Sequence, residues 1–84
     1  MPSEYRVVLH AELLDLLFRM RRAERRQLIQ FFDALAARPH AEGDYEEFDS
    51  TGRPNQVKIL ERWAITYWPD HAVKEVRVVE IEPA

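Results

Sequence analysis

Apolar residues change their spacing along this chain, and each change marks an element. Tyr5–Leu9 (YRVVL) is β-branched and aromatic, follows Pro2-Ser3, and reads as a strand. From Ala11 to Arg38 nearly every residue is a good helix former. Leu13, Leu14, Leu17 and Phe18 make one apolar stripe, and Leu28, Ile29, Phe32, Leu35 and Ala36 a second. One continuous helix of about 28 residues would run about 42 Å, whereas a globule of this length is roughly 30 Å across. The helix should therefore break. The polar run Arg19–Gln27 separates the stripes, so the break falls near Met20–Ala23 and predicts a helical hairpin.

Arg38-Pro39 closes the second helix, because a residue before proline resists the α conformation. Val57–Leu60, Trp63–Trp68 and Val73–Ile81 are strand-like in their β-branched and aromatic content. Glu61-Arg62 reads as a tight hairpin break and Pro69-Asp70-His71-Ala72 as a turn. Val76–Val79 is apolar apart from Arg77, which suits a central strand. Strand alternation puts Trp63 and Tyr67 on one face and Trp68 on the other. The acidic stretch Glu42–Asp49 reads as a solvated loop and edge strand around Tyr45–Phe48. The expectation is an α+β fold in the order β-α-α-β-β-β, a helical hairpin packed on a small, mainly antiparallel sheet, forming one domain over residues 1–84.

Composition bounds the function. At 84 residues the chain builds one core layer. With 0 cysteines, disulfides and thiolate zinc sites are excluded. No apolar run approaches the roughly 20 residues that span a bilayer, and no signal-peptide pattern opens the sequence. Cytoplasmic residence without a membrane partner is expected. The net charge of −3 counts against a protein that lives on nucleic acid, but the charge is polarised. Arg19, Arg21, Arg22, Arg25 and Arg26 form a basic pole, while Glu42, Asp44, Glu46, Glu47 and Asp49 form an acidic one.

Candidate chemistry follows from these poles and from the meander. Arg19, Arg22, Arg25 and Arg26 suit partner docking or phosphate contact, since guanidinium binds carboxylate and phosphate bidentately; the alternative is a solvated turn balanced by Asp15 and Glu24. Arg53, Lys58, Arg62 and Arg77 are a candidate phosphate- or RNA-binding set, with His71 or Tyr67 moving protons. Alternatively, Lys58 and Arg77 pair with Glu61, Glu75 or Glu80. The spacing of His10, His40 and His71 matches no compact ligand motif, so neither metal nor cofactor is expected. Trp63, Tyr67 and Trp68 suit hairpin packing or base stacking. There is no Gly-rich phosphate loop or nucleophile elbow.

Four segments, YRVVLHAELLDLL, RRQLIQFFDALAARP, VKILERWAITYW and VKEVRVVEI, together span most of the chain. In order, length and spacing they resemble the RelE/ParE superfamily of bacterial type II toxins. The resemblance implies a toxin neutralised by a cognate antitoxin whose segment wraps the helices or sheet. Family members that cut ribosome-bound mRNA, as endoribonucleases, carry basic residues on the middle strands and an Arg and Tyr beyond the last strand. Lys58 falls on such a basic position; Ala64 stands where an arginine is expected, and the sequence closes on Glu82-Pro83-Ala84 without a basic tail. ParE-like members, which act on gyrase, do not need that set. Two readings stay open: a toxin acting on mRNA or the ribosome, or a non-catalytic interaction module, such as a degenerate toxin or a small homodimer.

Overall fold

The computed structural model describes residues 5–84; Pro2 and Ser3 lie outside this range. The elements are β1 (Arg6–Leu9), α1 (Ala11–Arg19), α2 (Arg22–Ala37), β2 (Tyr45–Phe48), β3 (Pro54–Leu60), β4 (Trp63–Asp70) and β5 (Glu75–Pro83). They form a five-stranded sheet in the order β1-β5-β4-β3-β2. Only the β1–β5 pair is parallel. The architecture is the expected α+β one, with the short edge strand β2 added to the meander.

The helices break where the polar run predicts. Met20 and Arg21 are both extended, at φ −70°, ψ 157° and φ −60°, ψ 147°. Negative φ values need neither glycine nor proline. Met20, only 7% exposed, plugs the corner from inside. Arg25 reaches back from α2, its Nη1 donating to the Leu17 and Phe18 carbonyls at 3.4 and 3.5 Å. A cation at those helix-end carbonyls also suits the negative end of α1. The resulting molecule measures 33 × 33 × 23 Å, too short for an unbroken rod.

One side of the sheet packs on the helices. Leu13, Leu17, Leu28, Phe32 and Leu35 meet Trp63, Ile65, Tyr67, Val76, Val78 and Ile81 in one cluster. The stripes are narrower than the sequence suggests: Leu14, Phe18 and Ile29 face solvent. On β5 the buried positions change parity, from 76 and 78 to 81. The register explains it: Thr66 faces Glu80 but Tyr67 faces Val78, so Val79 is an extra residue in a β-bulge. Without the bulge, Ile81 would point away from the helices.

Strand boundaries differ from expectation: β3 already begins at Pro54 rather than Val57, and β5 runs on to Pro83 rather than Ile81. β4 continues through Pro69 and Asp70, so the turn is His71–Lys74 and β5 begins at Glu75, not Val73. β3 pairs with β4 only as far as Tyr67, leaving Pro69 no neighbour on that side, so its missing N–H breaks no ladder there. Lys74, at φ 55°, supplies the left-handed residue that ends the turn.

Candidate functional site

The face of the sheet turned away from the helices carries the candidate site. The two-residue turn Glu61-Arg62 pairs Leu60 with Trp63, which puts Val57 opposite Thr66 and Lys58 opposite Ile65. Residues paired across strands share a face. The uncovered face therefore shows the row Tyr45, Val57, Thr66 and Glu80, one residue from each of β2, β3, β4 and β5. Glu47 and Asn55 form the adjacent pair on the same face. Val57, Asn55, Ala64 and Thr66 are at most 8% exposed although no helix covers them. They are short side chains shaded by longer neighbours in flanking rows.

At one end of this face lies a basic aromatic cluster. The Arg53 guanidinium sits 3.8 Å above the Trp68 ring, and Arg77, paired with Trp68 across β4 and β5, lies 6.0 Å from it. Such stacking contributes about 0.5–2 kcal/mol and leaves guanidinium N–H groups free to donate outward. Arg77 Nε donates to Asp70 Oδ2 at 3.3 Å, and its Nη2 lies 3.0 Å from Glu75 Oε1. Arg53 stands at the end of a loop organised by Asp49, whose Oδ1 accepts from the Thr51 and Arg53 N–H groups and from the Thr51 hydroxyl. Those bonds, the Thr51 hydroxyl first, hold the Asp49 carboxyl below its ordinary pKa.

The centre of the face is acidic. Glu47, Phe48, Asp49, Asn55, Thr66, Val79 and Glu80 line a recess of about 230 Å³. Burial, then the Glu82 and Glu47 carboxylates, push the Glu80 carboxyl above its ordinary value. Asn55 Oδ1 is buried in the same recess without a hydrogen-bond partner. An orphaned acceptor of this kind costs about 1–3 kcal/mol.

The meander residues named from sequence are thus divided. Arg53 and Arg77 converge around Trp68. Lys58 lies on the helix side at the edge, 3.6 Å from Asp44 rather than beside the expected glutamates. Arg62 also turns to the helices: its Nε donates to Glu24 Oε2 at 2.5 Å and its Nη2 to Oε1 at 3.3 Å. Tyr67 is 1% exposed within the helix-side core. Its hydroxyl donates to the Ala41 carbonyl at 3.2 Å, and burial, with Asp44, pushes its pKa up to about 12. His71 shares a 2.6 Å hydrogen bond with the Tyr5 hydroxyl through Nδ1, and its ring stacks on His40 at 4.8 Å.

Arg19, Arg22 and Arg26 ring the exposed corner between the helices, while Arg25 is partly buried against α1. Among the described residues no group of three His, Asp or Glu side chains is placed to hold a metal ion, and no helix is long and apolar enough to cross a membrane.

Asn55, Thr66, Glu47 and Glu80 escape a reading of the sequence taken residue by residue. The signal that finds Thr66 and Asn55 is the two-residue turn, because its register puts Thr66 beside Val57, whose face Asn55 shares two residues away, and swings Lys58 to the opposite face. Glu80 could not be placed without knowing of the bulge at Val79.

No protein-family model and no curated protein matches the chain. Among solved structures it is similar to a chain of the archaeal RelE-RelB complex from Pyrococcus horikoshii OT3, with a TM-score of 0.78 and 18% identity. The alignment covers 94% of this chain and 93% of that one. At that identity the likeness is one of fold, and the fold is RelE-like.

Proposed function

We propose that this chain is the toxin-type half of a toxin–antitoxin pair, acting on translation through the uncovered face of its sheet and held inactive by a cognate antitoxin. The observation that carries the reading is the end-to-end match of this fold to a chain of a RelE-RelB complex. The uncovered face supplies fitting chemistry. Arg53 and Arg77 would contact RNA phosphates, and Trp68 between them offers a ring for a base. His71 would move protons from the turn that follows Asp70, while Lys58 and Arg62, held on the helix side by Asp44 and Glu24, take no part at this face. The exposed arginine corner of Arg19, Arg22 and Arg26 gives the antitoxin a second point of attachment. Inducing the chain alone in a bacterial host, and together with the product of the adjoining small gene, tests this reading. Arrest that co-expression relieves is the expected outcome; unimpaired growth under both conditions contradicts it.

A second reading, a non-catalytic interaction module on the same scaffold, is favoured by one observation. The Glu47, Glu80 and Glu82 carboxylates act on one another on the same face as the two arginines and repel a phosphate backbone, while the Tyr67 hydroxyl faces the other way. Primer-extension mapping of mRNA on translating ribosomes separates the two. Defined cuts support the toxin as a ribonuclease, and intact mRNA in arrested cells supports action by binding alone.

A further inference from the structure

We propose that the recess at the centre of the uncovered face is a built site for an arginine side chain of the protein partner that covers this face. The inference deepens the antitoxin reading and rests on a polypeptide lying across the sheet.

Four acceptors converge there. Glu47 and Glu80 bring carboxylates from β2 and β5, Thr66 brings a hydroxyl from β4, and Asn55 brings a buried carbonyl from β3 that nothing satisfies. Native chains rarely leave a buried acceptor orphaned, and a ligand donor is one way to complete it. No lysine or arginine among the described residues pairs with Glu47, Glu80 or Glu82. Arg53, the nearest cation by position, is committed to the Trp68 ring, and Asp49 is committed to its own loop.

The donor set called for is a fork. A guanidinium carries five N–H groups in one plane and no acceptor, so it can address several oxygens from different strands at once. Its methylene stem would lie against Phe48 and Val79, the apolar part of the lining. A divalent cation fits less well, because no three-carboxylate or carboxylate–histidine group is close enough to hold one. An arginine seated here would lie next to Trp68, so the segment carrying it would also block Arg53 and Arg77. The charge pattern then runs opposite to what an acidic inhibitor on a basic active face would need.

The test uses the full ¹⁵N-labelled chain and the capped tripeptide Ac-Ala-Arg-Ala-NH2, followed by heteronuclear NMR. Its uncharged isostere with citrulline, and magnesium chloride alone, are the comparison titrants. The expected result is saturable shifts at the Asn55 side-chain amide and at the Thr66 and Glu80 backbone N–H groups with the arginine peptide only. Glu80→Gln should weaken the apparent affinity about tenfold, the loss of one charge-assisted contact. Glu47→Gln, on the exposed edge strand, is the second variant and should weaken it in the same direction. The proposal is overturned by non-saturable shifts, by equal response to the citrulline peptide or to magnesium, or by unchanged affinity in both variants. The titration needs no toxicity and the growth assay needs no recess, so the two readings fail separately.

Discussion

Trp63 Nε1 donates to Glu24 Oε2 at 3.2 Å, tying the β3–β4 hairpin to the first turn of α2. The same carboxylate takes the Arg62 guanidinium and reaches the N–H of Arg21 at the helix N-cap, so one side chain completes a helix end and anchors a hairpin. The Arg62 hydrogen bond above all holds the Glu24 pKa down to about 2. Because the folded value lies below the ordinary one, the contribution is complete above about pH 4.5 and is lost as pH falls toward 2. Glu24→Gln should lower the melting temperature near neutral pH, and the gap from wild type should close as acid unfolding is scanned through that window. A gap independent of pH would contradict the assignment.

Glu61 carries φ 56° in the two-residue turn between β3 and β4. A side chain in the left-handed region costs about 1–2 kcal/mol, and glycine has no such penalty. Glu61→Gly should therefore stabilise the fold by up to about 1 kcal/mol after the added freedom of the unfolded chain is counted. Urea unfolding reads this as a higher midpoint at unchanged slope.

Gly43 is needed for a different reason. A Cβ there would stand 2.5 Å from the Val57 carbonyl oxygen and 2.7 Å from its carbon, both backbone. The close approach lets Gly43 N–H donate to Gln56 Oε1 at 2.8 Å and Asp44 N–H to the Val57 carbonyl at 2.7 Å. Gly43→Ala should cost about 1–3 kcal/mol, the usual range for forced overpacking. Wild-type stability in that variant would mean that the loop is not clamped to β3.

Glu80 shifts the other way from Glu24. Its raised pKa means that the folded state prefers the protonated form, so its ionisation opposes folding as pH rises through that value. Glu80→Gln should raise the melting temperature near pH 7 and give no advantage in acid, where wild type is itself protonated. Thermal scans at the two conditions check both halves.

Much of the scaffold was legible because its signals are local. The polar run between two apolar stripes marked the helix break, and the content of VKILERWAITYW marked the hairpin. Trp63 and Tyr67 fell on one face with Trp68 on the other, as alternation requires. The site was less legible because it depends on relations between strands. One extra residue at Val79 changes which way Glu80 and Ile81 point, and nothing in the apolar run announces it. Lys58 looked like part of a cation set until the hairpin register carried it to the opposite face. Arg25 looked like a surface charge, yet its bonds to two α1 carbonyls give it a structural task that no spacing rule reveals.

The most direct test of the account compares growth arrest by the wild-type chain, induced alone, with arrest by a variant carrying Arg53→Ala, Trp68→Ala and Arg77→Ala, at matched levels of folded protein. The account places the acting surface on the uncovered face around Trp68, so the wild type should arrest growth and the variant should not. A variant that arrests growth as strongly as the wild type would contradict it.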